Sequence, residues 1–181
     1  MFVTIMNIIS GTAKGKKILV PESAKPVKSI VIQSIFSTLG NTVKNKNCLD
    51  LFAGSGILGL EALSREAATC DFVDSNPEAI EHITTNIKNA GFERRAEAIK
   101  SDAVKFIGNT NKKYTLIFLD PPYDNPVTHI LKTLYEIAKK NCVVVFPHGI
   151  NQNLTDSINL FTKLKSRNFG KTVIDYYTLD K

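Results

Sequence analysis

The stretch Cys48-Leu-Asp-Leu-Phe-Ala-Gly-Ser-Gly-Ile-Leu-Gly-Leu-Glu-Ala-Leu63 decides how the rest of the chain is read. Cys48 to Phe52 is a short apolar run of the kind that fills a strand buried on both faces. Gly54, Gly56 and Gly59 follow in the order G-x-G-x-x-G, and Ile57, Leu58, Leu60, Ala62 and Leu63 continue as an apolar helix. Glycine lets a backbone turn sharply and approach a ligand closely. The helix behind the turn offers unpaired amides and a partial positive charge. Asp74 ends the next apolar run, 20 positions after Gly54, where an acid can take both hydroxyls of a ribose. The glycines alone would equally suit the packing of a tight turn. Strand, helix and spaced acid together indicate a nucleoside cofactor.

The chain has 181 residues, 43% hydrophobic and 22% charged, which suits one globular domain with a full-sized core. Its net charge of +6 is concentrated in two places. Met1 to Lys28 carries Lys14, Lys16, Lys17, Lys25 and Lys28 against Glu22 alone, and Asn159 to Lys171 carries Lys163, Lys165, Arg167 and Lys171 with no acid. Such clusters suit an anionic partner, though solvated chain ends would show them too. Cys48, Cys70 and Cys142 each fall in an expected strand and read as small buried residues of a reducing compartment. Neither they nor His82, His129 and His148 show metal-ligand spacing, so no metal is expected. Met1 to Ile9 is too short to span a membrane and lacks a cleavage site, so it reads as a strand of a cytoplasmic protein. Met6 is a second candidate start.

Residues 7–20 are expected to form a hairpin with lysines at its tip, suited either to gripping a nucleic-acid backbone or to protecting a sheet edge. Apolar spacing predicts a helix over 28–39, a strand over 68–74, a helix over 77–89, a weak strand over 96–102 and a short helix over 103–107. A strand over 114–119, a helix over 127–140, a strand over 142–146 and a closing antiparallel pair, 160–165 and 172–179, complete the chain. The alternation predicts an α/β fold with a mostly parallel sheet covered on both faces.

Asp120-Pro-Pro-Tyr123 then chooses the chemistry. It lies at the carboxyl end of a strand, where open α/β sheets place ligands. The two prolines fix the backbone and leave carbonyls without competing amides. An acceptor side chain, a free carbonyl and an aromatic ring can hold a planar group bearing an NH₂. A rigid turn with a satisfied Asp would use the same residues.

This combination resembles the amino-methylating S-adenosylmethionine-dependent methyltransferases, whose signature is D/N-P-P-F/Y. More narrowly, Leu49 to Arg65, the start Asn7-Ile-Ile-Ser-Gly-x-x-x-Gly-Lys-Lys-Ile-Leu19 and the tetrapeptide resemble the RsmD family over nearly the whole chain. That family methylates N2 of one guanine, number 966, of bacterial 16S ribosomal RNA. The resemblance implies a Rossmann-like class I methyltransferase sheet of seven strands, six parallel and one reversed. Residues 1–27 would form a hairpin extension for RNA and 28–181 the catalytic domain. It further implies that Asp50 and the backbone of Phe52, Ala53, Gly54, Ser55 and Gly56 hold the methionine part of S-adenosyl-L-methionine. Asp74 with Ser75 would bind its ribose, Asp102 and the Ala103 amide its adenine. Asp120, Pro121, Pro122 and Tyr123 would take the target base, and Lys14, Lys16, Lys17 and Lys28 the RNA phosphates. The partner implied is 16S rRNA or the small ribosomal subunit, with no membrane and no obligatory protein partner. The chain departs from the family at Lys25-Pro26-Val27, at Ile32 to Ser37, at Asp74 where Glu is more usual, and at Phe146-Pro147-His148. Other readings are a DNA adenine or cytosine amino-methyltransferase, a catalytically silent RNA-binding assembly factor, and a dehydrogenase.

Overall fold

The computed structural model describes residues 4–22, 24, 26–121, 127–152 and 154–179. The chain opens with β1 (Thr4–Asn7) and β2 (Lys17–Val20), an antiparallel pair in the register Thr4↔Val20. Then come α1 (Ser29–Leu39), β3 (Asn47–Leu51), α2 (Ile57–Ser64), β4 (Thr69–Asp74) and α3 (Pro77–Ala90). β5 (Ala96–Lys100), α4 (Ala103–Asn109), β6 (Tyr114–Leu119), α5 (Val127–Thr133) and β7 (Ala138–Gly149) follow. β8 (Ser157–Ile158), β9 (Phe161–Phe169) and β10 (Thr172–Leu179) end it.

The main sheet runs β5-β4-β3-β6-β7-β10-β9-β8. β3 to β7 are parallel, while β10 lies antiparallel to both β7 and β9. Seven strands therefore match the expected arrangement, six one way and β10 reversed. An eighth is added. Two-residue β8 folds back on the start of β9 (Ile158↔Phe161) around Asn159, whose φ is 54°.

The apolar runs of β3 and β6 are buried because helices cover both sheet faces. On one face α1, α2 and α3 pack with Phe36, Phe72, Ile83 and Phe118, joined by Ile8, Ala13 and Ile18 of the hairpin region. On the other, α4 and α5 pack over Leu49, Leu51, Ile117, Leu119 and Val144. α3 is framed by its own sequence. The Asn76 side chain accepts from the Glu78 amide at 2.9 Å, Pro77 takes the first turn, and Gly91 closes the helix at φ 79°.

One expected helix is shorter than its periodicity suggested. In place of a helix over 127–140, α5 stops at Thr133, a 3-10 turn covers Leu134–Glu136, and Ala138 already belongs to β7. Tyr114 draws that segment into the sheet: its amide donates to the Ile137 carbonyl at 2.8 Å and it pairs with Ala138.

Candidate functional site

β3, β4 and β6 are parallel neighbours, so Asp50, Asp74 and Asp120 come to one edge of the sheet from three separate stretches of sequence. After β3 the chain turns through Phe52, whose φ of 58° is a left-handed conformation costly for a residue with a Cβ. Gly56, at φ 75°, then starts α2. The loop is closed by Ala53 N–H to the Val73 carbonyl, 3.1 Å, and Gly56 N–H to the Ala53 carbonyl, 2.7 Å. Gly59 is required by close approach: a Cβ there would meet the Phe72 ring and come 2.6 Å from Cys70 Sγ.

Asp50 is 2% exposed, and its Oδ2 accepts the Gly59 amide at 2.9 Å. Burial pushes its carboxyl well above the usual range, the Gly59 amide opposes the rise, and the charges of Asp120 and Asp74 add to it. Asp74 holds the loop from β4. Its Oδ2 accepts the Gly54 amide and its Oδ1 the Asn76 amide, both at 2.9 Å, which leaves one lone pair on each oxygen for a diol. Ser75 beside it is exposed. Asp102 Oδ1 caps α4 by accepting the Lys105 amide at 3.0 Å, and Ala103 is buried at that helix start. The Asp120 amide reaches the Leu51 carbonyl at 3.4 Å, tying the end of β6 to the end of β3, and Pro121 is buried next to it. Pro122 and Tyr123 lie outside the described residues.

Three carboxylates, Asp50, Asp74 and Asp120, converge at this end of the sheet, and such a convergence favours a cation. S-adenosylmethionine, with its sulfonium and ammonium charges and its ribose diol, fits that donor set. The Asp74 carboxylate, fixed at the end of β4 by the Gly54 and Asn76 amides with acceptor capacity to spare, is the observation that carries the fit.

The four lysines expected to touch RNA are divided between two ends of the molecule. Lys14, Lys16 and Lys17 follow a loop docked on the last turn of α2, the end of that helix away from the glycine loop. There Thr12 N–H donates to the Ser64 carbonyl at 2.8 Å and Ala13 N–H to Ser64 Oγ at 2.9 Å. Lys28 sits at the start of α1. It follows the segment carrying Ala24, whose methyl is 3.3 Å from where a Cβ on Gly54 would be.

Three of the buried polar residues that the sequence did not single out tie the N-terminal segment to α2 and the glycine loop. Glu61 is 0% exposed; its carboxylate accepts the Ile9 amide (2.8 Å), the Ser10 amide (3.1 Å) and Arg65 Nε (2.8 Å). Ser64 completes this clamp on the N-terminal loop by donating to the Ser10 carbonyl at 2.5 Å. Asn86 of α3 accepts from Leu19 N–H at 2.9 Å and donates to the carbonyls of Leu19 (2.8 Å) and Ser55 (3.0 Å), so it joins β2 to the glycine loop. Their signal was a glutamate and a serine in the otherwise apolar helix Ile57–Ser64 and an asparagine on the apolar side of α3.

Comparisons with known proteins bear on the family and the fold. The family described as Conserved hypothetical protein 95 matches residues 6–178. Bacillus subtilis YlbH is 33% identical over 95% of this chain and 98% of its own length. The protein named Ribosomal RNA small subunit methyltransferase D from Buchnera aphidicola (Acyrthosiphon pisum) is 37% identical over 75% of this chain and 71% of its own. Escherichia coli yhhF superposes with a TM-score of 0.88 at 23% identity, covering 98% and 99% of the two chains, and so shares the fold. An RNA methyltransferase of Salinibacter ruber, solved with S-adenosyl-L-homocysteine, superposes at TM-score 0.68 and 14% identity over 87% and 95%. The chain belongs to the conserved hypothetical protein 95 family, the RsmD family of S-adenosylmethionine-dependent rRNA methyltransferases.

Proposed function

We propose that this enzyme methylates the exocyclic N2 of one guanine in small-subunit rRNA, with Asp120 and Pro121 receiving the amine. The observation that carries the reading is the placement of Asp120: an acceptor at the carboxyl end of β6, hydrogen-bonded through its amide to Leu51 and beside the glycine loop. S-adenosylmethionine supplies a methyl already activated on a sulfonium, so the protein's contribution is alignment more than proton chemistry.

Each residue then has a task. Asp50 and the backbone of Phe52, Ala53, Gly54, Ser55 and Gly56 hold the methionine end. Asp74 accepts from the ribose hydroxyls, with Ser75 beside it, and Ala103 with Asp102 flanks the adenine. Asp120 and the Pro121 carbonyl accept the two amine N–H groups and aim the nitrogen lone pair at the methyl carbon. As the new C–N bond forms, the C–S bond breaks with its electrons on sulfur, and the surplus amine proton leaves to water. Negative charge on Asp120 stabilises the positive charge developing on that nitrogen. The guanine has to leave its stack to reach this edge, and Pro122 and Tyr123 would complete its pocket. Lys28, at the same edge, suits a phosphate near the target, and Lys14, Lys16 and Lys17 a phosphate farther away.

The test uses labelled S-adenosylmethionine with small-subunit rRNA, free and assembled, from cells lacking the modification. The product is digested and its methylated nucleoside identified. N2-methylguanosine is expected. A methylated adenine or cytosine would replace the base assignment, and RNA binding without transfer would make the chain an assembly factor.

A further inference from the structure

The second basic cluster of the sequence has no part in the site described so far, and its placement is specific. Along β9, Lys165 pairs with Tyr176 and Arg167 with Ile174 of β10. Ile174 and Tyr176 belong to the core under α1, so Lys165 and Arg167 project on the α1 face of the sheet, and both are exposed. Phe169, two residues on, packs partly against that same core. Successive side chains on one strand face are about 7 Å apart, so the two cations form a short row.

The row is aligned with the target end of the site. β6 and β7 pair in the register Phe118↔Val145, which two residues further sets Asp120 opposite Pro147. Pro147 pairs with Ile174, and Ile174 with Arg167. Asp120 and Arg167 thus occupy one line across the sheet, three interstrand spacings or about 14 Å apart. The turn after β9 keeps Lys171 at this edge, where its carbonyl accepts the Ile150 amide at 3.1 Å.

Charge pairing separates these cations from their neighbour. Lys163, in the same strand, is held by Asp156 at 3.5 Å and Asp175 at 3.3 Å. Among the described residues, no carboxylate lies within ion-pair distance of Lys165, Arg167 or Lys171. Charges on an edge strand can simply prevent sheet-to-sheet pairing, but that task accepts either sign. From Asn159 to Lys171 there are four cations and no acid. Uncompensated cations of one sign in a row, one of them an arginine with a planar fork of donors, suit phosphates.

We infer that the β9–β10 hairpin is a second RNA-gripping surface, on which Lys165 and Arg167 hold the backbone of nucleotides flanking the extruded base. This rests on the rRNA methyltransferase reading and extends it. The hairpin grips from the β7 side of Asp120, opposite the glycine loop, so the strand carrying the target base is held across the mouth of the site. Its contacts are to backbone and position the substrate without reading its sequence.

Two double variants test it. Lys165→Glu with Arg167→Glu keeps the edge charged but reverses its sign; Lys165→Gln with Arg167→Gln removes two phosphate contacts. The expected result is at least tenfold weaker binding of small-subunit rRNA by the glutamate pair at about 0.1 M salt. For the glutamine pair, the slope of log affinity against log salt should fall by about 1.4, which is 0.7 per lost contact on a single strand. Cofactor affinity, melting temperature and oligomeric state should match the parent, and KM for RNA should rise more than kcat falls. Unchanged RNA affinity and salt slope in both variants would overturn the inference even with methyl transfer intact. If the parent binds rRNA but transfers no methyl, the enzymatic reading fails while the slopes still decide the hairpin. A parent that binds no rRNA overturns both.

Discussion

Asn86 donates one amide proton to the carbonyl of Ser55 at 3.0 Å and another to the carbonyl of Leu19 at 2.8 Å, so one buried side chain fixes the glycine loop to the N-terminal hairpin. It also accepts the Leu19 amide, and its own polar atoms are thereby satisfied. Asn86→Ala would take a partner from three backbone groups, the Ser55 carbonyl in a buried bond and the Leu19 amide and carbonyl in part-buried ones. At about 1–3 kcal/mol per unsatisfied buried group, softened by relaxation, the expected loss is about 3 kcal/mol. Urea unfolding should show it, together with cofactor binding weakened by about tenfold, or ~1.4 kcal/mol, in a calorimeter. Lost stability with unchanged cofactor affinity would mean that Ser55 keeps its place without Asn86.

Asp50 gives a pH signature. Its carboxyl is raised in the free protein by burial and by Asp120 and Asp74, with the Gly59 amide opposing. A bound cation favours the ionised form, so cofactor binding should release a proton and tighten as pH rises through the elevated pKa. The folding linkage has the opposite sign: a raised carboxyl costs stability as pH climbs past its unfolded value toward its folded one. Asp50→Asn should therefore keep or raise the melting temperature of the free protein at neutral pH while cofactor affinity falls at least tenfold. Calorimetry in buffers of different ionisation enthalpy measures the proton release, which should vanish in the variant. Proton uptake in the parent would contradict this electrostatic account.

Gly59 tests the packing behind the loop. Ala at this position puts a methyl into the Phe72 ring and Cys70 Sγ, both at the centre of the sheet. Overpacking of this kind costs about 1–3 kcal/mol, and here it should also displace the amide that Asp50 accepts. Gly59→Ala should unfold earlier in urea and bind cofactor less well. Normal stability would show that Phe72 can swing aside.

The central motif was legible because its chemistry is local. A glycine turn between a buried strand and a helix states its own geometry, and Asp74 and Asp120 are marked by ending strands. The lysines were legible as charge but not as position. Nothing in Lys14, Lys16 and Lys17 shows that Glu61 and Ser64 draw the preceding loop to the far end of α2. Asn86 was hidden for a related reason. Its partners, Leu19 and Ser55, are 67 and 31 residues away, and only the fold brings them together. The end of α5 was missed because the periodicity of 127–140 is helical, while the strand partner that claims Ala138 is Tyr114, on β6.

Asp175 is a structural acid below the β9 row. Burial would raise its carboxyl, but hydrogen bonds with His148 (3.2 Å) and Ser166 and the charges of His148 and Lys163 outweigh burial and hold it below the usual range. A depressed carboxyl stabilises the fold above its unfolded pKa, and that contribution disappears as pH falls through the folded value. Asp175→Asn should lose stability at neutral pH and show a flatter acid limb in urea unfolding between about pH 5 and 2. Parallel acid limbs would place the stabilising charge elsewhere.

Asp120 separates chemistry from cofactor binding. Asp120→Asn keeps the shape of the side chain and can still accept one hydrogen bond, but it removes the negative charge opposite the nitrogen that becomes cationic. Losing one preorganised electrostatic partner costs about 10²–10³ in turnover. The same change removes one of the two neighbouring charges that raise the Asp50 carboxyl, which should move down. Cofactor affinity at mildly acidic pH should then hold or improve in the variant while methyl transfer collapses. Single-turnover transfer from labelled cofactor and binding calorimetry, run on one preparation, measure the two effects. Equal loss of both would mean that Asp120 serves the cofactor and not the base.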